Sequence, residues 1–222
     1  ARPTERNRIK ARRGARIRHA RRHFVVADRE DSLAPITITW GSVCDRSLVE
    51  RCVQGHDVVV HLAAEGNPDF CQQRPVQAFD VNVRGTQIVA GVCADAGVRL
   101  VHASSCEIYG SSSGQRQHEH STMNPTSVYA ASKLAGDRLV NAYAYTYGLR
   151  ATIVRPCNIF GPGQRYGEHG GVIPTFAHRA INGLSLIVRG DGLQTREFMY
   201  VDDVIAAYVE MIETEISTSP AP

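Results

Sequence analysis

Apolar residues recur along this chain with two different periods. Short, nearly unbroken apolar runs at 23–28, 57–62, 98–103 and 151–154 have the pattern of parallel strands covered on both faces. A weak alternation at 36–40 and the Leu-Ile-Val run at 186–188 predict two further strands. Between them the period lengthens to that of a helix. Leu48, Val49, Cys52 and Val53 mark one over 46–54, and Phe79, Val83, Ile88, Val89 and Val92 mark another over 75–95. Residues 127–137, continued by Leu139 and Val140, predict a third, with two more at 172–182 and 203–215. Asp45 and Asp202 stand where capping acids stand. The Ser/Gly/Gln/His-rich stretch 111–126, with Pro125, is a loop, and a Gly/His loop at 166–171 covers the cleft beyond it. Strands alternating with helices predict an α/β fold, a parallel sheet with helices on both faces.

The helix at 127–137 carries the clearest chemistry. Tyr129 and Lys133 are four apart and share a face. A phenol ionises near pH ~10, too high for a base at neutrality, and a nearby ammonium lowers that value. The spacing alone fits a buried tyrosine above a solvated lysine equally well. Its context separates the two readings. Upstream lie Val-Val-Val-His-Leu-Ala-Ala-Glu (58–65) and Ala-Ser-Ser-Cys-Glu (103–107). Downstream lie Arg-Pro-Cys-Asn-Ile-Phe-Gly-Pro-Gly (155–163) and Arg-Glu-Phe-Met-Tyr-Val-Asp-Asp-Val (196–204).

In this order and at these separations, the motifs resemble the extended short-chain dehydrogenase/reductase family, the NAD-dependent nucleotide-sugar epimerases and dehydratases, from about Phe24 to about Ile212. The resemblance implies a Rossmann-like domain over 24–165 and a partial substrate lobe over 166–222. It implies that Tyr129 takes the proton of the sugar 4-hydroxyl, that Lys133 tunes it and holds the nicotinamide ribose, and that Ser105 shares the hydroxyl. Around the cofactor NAD it places Asp28 and Arg29 at the adenosine ribose and Ser42 and Val43 at the adenine. Leu62, Ala63 and Ala64 lie along the dinucleotide, Asn82 steadies the loops beneath it, and Cys157 sits at the nicotinamide end. Glu65, Asn158, Val172 and Arg196 fall on the nucleotide-sugar substrate, Arg196 as the fork for its diphosphate. Dehydratases of this kind carry Asp-Glu where this chain has Cys106-Glu107. Glu107 is thus a candidate base for the sugar C5 proton, whereas a thiol at pH ~8.5 is a poor acid. Dehydratase, epimerase and decarboxylase chemistry all stay open, as does a catalytically impaired fragment serving as a binding module.

Composition adds three points. The net charge of +3 hides an arm, residues 1–23, with ten Lys or Arg against Glu5. It reads as a solvated, poorly ordered tail, with nucleic-acid binding the weaker alternative. That arm has no Gly-x-x-Gly-x-x-Gly turn, and neither does the rest of the chain, so the dinucleotide domain is expected to be incomplete and both ends truncated. Six scattered cysteines without a Cys-x-x-Cys pair fit buried thiols in a reducing cytoplasm. No apolar run reaches membrane length. His118 and His120 suggest a metal, but the resemblance implies chemistry that needs none. It also implies a homodimer packed through the tyrosine helix.

Overall fold

The computed structural model describes residues 22–26, 37–111, 116–167, 170–188 and 190–214. Asp28, Arg29 and nearly all of the basic arm lie outside them. The elements begin with β1 (Arg22–Val26), β2 (Thr37–Gly41), α1 (Arg46–Val53) and β3 (Val58–His61). Next come α2 (Pro68–Gln73), α3 (Pro75–Phe79), a π turn (Asp80–Arg84) and α4 (Gly85–Ala96). β4 (Arg99–Ala103) leads into a 3-10 turn (Cys106–Tyr109), and α5 (Val128–Tyr147) is followed by β5 (Ala151–Val154). The last elements are β6 (Asn158–Phe160), α6 (Val172–Ile181), β7 (Phe198–Tyr200) and α7 (Val201–Glu213).

The expected α/β architecture is present. β3, β4 and β5 form a parallel sheet in that order, and β6 pairs in parallel with β7. Leu100 of β4, Val89 of α4, Val140 of α5, Val49 of α1 and Val43 just before it are almost wholly buried. They make one core between sheet and helices. Asp45 caps α1 as predicted, its carboxylate accepting from Leu48 N–H at 3.1 Å. Ser127 caps α5, accepting from Ala130 N–H at 3.0 Å.

Three expectations need correction. β1 and β2 run antiparallel, in a pair separate from the parallel sheet. The ten residues joining them suffice for a hairpin, whereas parallel pairing needs a crossover of about a dozen or more. The helix expected over 75–95 is present as α3, the π turn and α4 in unbroken succession. The π turn turns Asn82 inward, 2% exposed, towards the loop after β3. Residues 186–188 form no strand: Leu186, Ile187 and Val188 stand about half exposed and pair with no described strand. Asp202 lies inside the first turn of α7 instead of capping it, where its charge still opposes the positive end of the helix dipole.

Gly110 ends the 3-10 turn at φ 69°, ψ −149°, a region essentially reserved for glycine. A Cβ there would lie 2.1 Å from the Asn124 carbonyl oxygen. Gly110→Ala should therefore destabilise the chain by about 1–3 kcal/mol or more, read as a lowered urea midpoint. An unchanged midpoint would mean that the 110–124 contact is not formed in solution.

Candidate active site

The carboxyl ends of β4 and β5, the start of α5 and the β6–β7 pair surround one cleft of about 1570 Å³. Ser105, Cys106, Glu107, Tyr129, Cys157, Asn158, Val172, Arg196 and Glu65, far apart in sequence, all line it. A parallel sheet delivers ligands to this edge because every strand opens its loop there. Lys133, Asn82, Ser42, Val43, Leu62, Ala63 and Ala64 do not line that cleft.

At the centre, the Ser105 hydroxyl lies close enough to the Tyr129 phenol to favour its ionised form. Ser105 Oγ also accepts from Glu107 N–H at 3.2 Å, which orients the 3-10 turn. Burial pushes the phenol above its ordinary pKa; Ser105, donating to the phenolate, works in the opposite direction, and the Glu107 carboxylate adds to the rise. Lys133 is buried one helical turn on, and its ammonium donates to the Ala103 carbonyl. Ser105 is the group whose contact favours the phenolate. Burial lowers Lys133 itself to about 8, with Asp137 pulling the other way.

Asn82 clamps the loop after β3. Its Oδ1 accepts from Glu65 N–H at 2.6 Å, and its Nδ2 donates to Glu65 O at 3.0 Å and Ser132 Oγ at 2.9 Å. Gly136 lets α5 come this close, since a Cβ there would sit 3.0 Å from Asn82 O. Val43 is wholly buried in the core, so only its backbone can face a ligand, and the exposed Ser42 accepts from Cys44 N–H at 3.2 Å. Asn158 Nδ2 donates to Glu197 O at 3.0 Å, and Arg196 Nη1 to Thr195 O at 2.7 Å. Beside the cleft the donor set fits a dinucleotide: a phenol, an ammonium and the buried Ser104 hydroxyl, which has no partner among the described residues.

Sequence reasoning missed the support beneath the site. Asp137, wholly buried, receives Arg155 on both oxygens, Nε–Oδ2 at 2.9 Å and Nη2–Oδ1 at 3.3 Å. Arg155 also donates to Tyr109 Oη at 2.8 Å. Both residues stand in the quoted motifs, but nothing in their spacing pairs them.

Behind Lys133 two histidines are buried, His61 and His102, with ring centroids 5.3 Å apart. His61 hydrogen-bonds Thr86 Oγ1 at 3.0 Å, while both ring nitrogens of His102 lack partners among the described residues. Burial, reinforced by Lys133, lowers His61 to about 3; burial, then His61 and Lys133, lowers His102 to about 2. The unfolded chain therefore takes up these protons first as pH falls below ~6.5. Stability is lost from there down towards the folded values, at ~1.4 kcal/mol per pH unit for each ring. His102→Leu should remove one such contribution, and urea unfolding between about pH 7 and about pH 5 should show a shallower decline. Parallel declines would mean that water reaches the ring.

Comparisons with known proteins show the family. The model of the NAD dependent epimerase/dehydratase family matches residues 8–220. The low-salt glycan biosynthesis protein Agl12 of Haloferax volcanii is 38% identical over 168 residues, 75% of this chain and 53% of the relative. A dTDP-glucose 4,6-dehydratase of Streptomyces antibioticus is 35% identical over 181 residues, 81% of this chain and 53% of the relative. Among solved structures, the dTDP-glucose 4,6-dehydratase DesIV of Streptomyces venezuelae, with NAD bound, superposes with TM-score 0.73 at 36% identity, covering 79% of this chain and 54% of that one. The UDP-glucose 4-epimerase of Thermotoga maritima gives 0.72 at 27% identity, covering 78% and 58%. The chain thus spans about half the length of the curated relatives it matches.

Proposed function

The chain belongs to the NAD dependent epimerase/dehydratase family, and from that membership we propose that it acts on a nucleotide sugar by transient oxidation at sugar C4. The observation carrying this reading is that Tyr129, Ser105 and Glu107, distant in sequence, meet on the wall of one cleft. A bound nicotinamide dinucleotide supplies a reversible hydride acceptor. Lys133, Cys157, the Leu62-Ala63-Ala64 segment held by Asn82, Ser42 with the Val43 backbone, and Asp28 with Arg29 are the residues we assign to holding it.

The remaining tasks fall to the cleft. Tyr129 takes the proton of the C4 hydroxyl as that carbon is oxidised, and Ser105 holds the same hydroxyl and stabilises the phenolate. A ketone at C4 acidifies the neighbouring C–H bonds, and Glu107 takes the proton at C5. Arg196 binds the diphosphate, with Asn158, Val172 and Glu65 around the sugar nucleotide; residues 166–222 act as the substrate lobe. The dTDP-glucose dehydratases among the relatives support the C5 role.

Cys106 favours a second reading, epimerisation. Burial pushes its thiol up to about 12, which makes it a poor donor to a leaving hydroxyl. Incubating the purified chain with NAD and either dTDP-glucose or UDP-glucose, followed by NMR of the products, separates the two. A 4-keto-6-deoxy sugar supports dehydration and a C4 epimer supports epimerisation. A folded chain that neither binds NAD nor turns over any nucleotide sugar sinks both.

No helix among the described residues is long and apolar enough to cross a membrane. We further propose a cytoplasmic homodimer packed through α5, testable by light scattering of the purified chain.

A further inference from the structure

The β4–β5 ladder pairs Leu100 with Ala151 and each following residue in step, to Ala103 with Val154. Its hydrogen bonds continue past the strand ends, from Ser104 N–H to Val154 O at 2.7 Å and from Cys106 N–H to Pro156 O at 3.1 Å. The same register carried forward sets Cys106 opposite Cys157. Their thiols are near enough to act on each other's ionisation, and both cysteines are partly exposed on the cleft wall. Neighbouring strands stand ~4.8 Å apart, inside the ~4.4–6.8 Å between Cα atoms that a disulfide spans. Cys157 has a further contact, its Sγ donating to Glu197 Oε2 at 3.6 Å.

We propose that Cys106 and Cys157 form a dithiol modification site within the cleft, which a low-molecular-weight disulfide converts to a protein disulfide that shuts the cleft's reaction edge. Glu197 receives the Cys157 proton, and the Cys157 thiolate attacks one sulfur of the small disulfide. That S–S bond breaks and one small thiolate leaves, protonated by solvent. The Cys106 thiolate, its proton passed to solvent, then attacks the Cys157 sulfur of the mixed disulfide and expels the second small thiolate. Two protein thiols are oxidised and one small disulfide is reduced to two thiols, with no other oxidant. The new bond ties the turn carrying Ser105 and Glu107 to the start of β6 and takes Cys157 from Glu197. Burial raises both thiols above their ordinary range, so the exchange is slow at neutrality and accelerates as pH rises.

The test is independent of turnover. The full chain is incubated with glutathione disulfide and its intact mass and peptide map are followed. We expect loss of two hydrogens, a cross-linked peptide joining Cys106 to Cys157, reversal by dithiothreitol, and a faster reaction at about pH 9 than at about pH 7. Cys106→Ser should stop at a glutathione adduct on Cys157. A wild-type chain that accumulates stable glutathione adducts without the cross-link, or that forms it only after unfolding in urea, overturns the proposal.

Discussion

Tyr129→Phe should lower kcat by about 10²–10⁴-fold while the far-ultraviolet circular dichroism and urea midpoint stay close to wild type. The substitution removes one oxygen and leaves the ring packed at the start of α5. What goes is the acceptor for the sugar hydroxyl proton and the partner of Ser105. Nucleotide-sugar affinity should change little, since the cleft has many other polar contacts, so the loss belongs in kcat more than in KM. Ser105→Ala gives a second readout. Ser105 is the group opposing the burial that raises the phenol, so its removal should move the rising limb of the pH–rate profile to higher pH. A Tyr129→Phe variant with near wild-type kcat would remove the tyrosine from the mechanism.

Asp137→Ala should cost about 3–5 kcal/mol of stability, a large share of the ~5–15 kcal/mol a domain of this kind holds. Asp137 is wholly buried, and the Arg155 side chain opposite it is 17% exposed. Without the carboxylate, the guanidinium keeps Tyr109 Oη but loses both charged contacts. Lys133 loses the one charge that opposes its desolvation. Removing both partners is milder, because no charge is left stranded. Asp137→Leu with Arg155→Met should recover most of the loss. Urea unfolding of the three proteins checks this; a single-variant cost below about 1 kcal/mol would mean that solvent already screens the pair.

The pair also matters to the site. Arg155 directly follows β5, Tyr109 closes the 3-10 turn, and Asp137 rides on the tyrosine helix. One clamp therefore fixes the relative placement of Ser105, Glu107 and Tyr129.

Much of this was legible in the sequence, because the information is local. Apolar periodicity located β3, β4, β5 and the long α5, and Asp45 caps the helix that follows it. The residues expected around the substrate meet in one cleft, since strand order in a parallel sheet sends their loops to the same edge. What sequence could not supply depends on neighbours distant along the chain. The run at 186–188 has the composition of a strand, but a strand exists only where a neighbouring strand pairs with it, and none does here among the described residues. Lys133 and Tyr129 share a helix, yet the ammonium turned to the Ala103 carbonyl, because a buried cation goes to the nearest acceptor available. Asp137 with Arg155, and Cys106 with Cys157, became pairs only when α5 packed on the sheet and β4 found its register with β5. Periodicity fixes which face of an element is apolar; only the assembled core decides which polar groups on its margin meet.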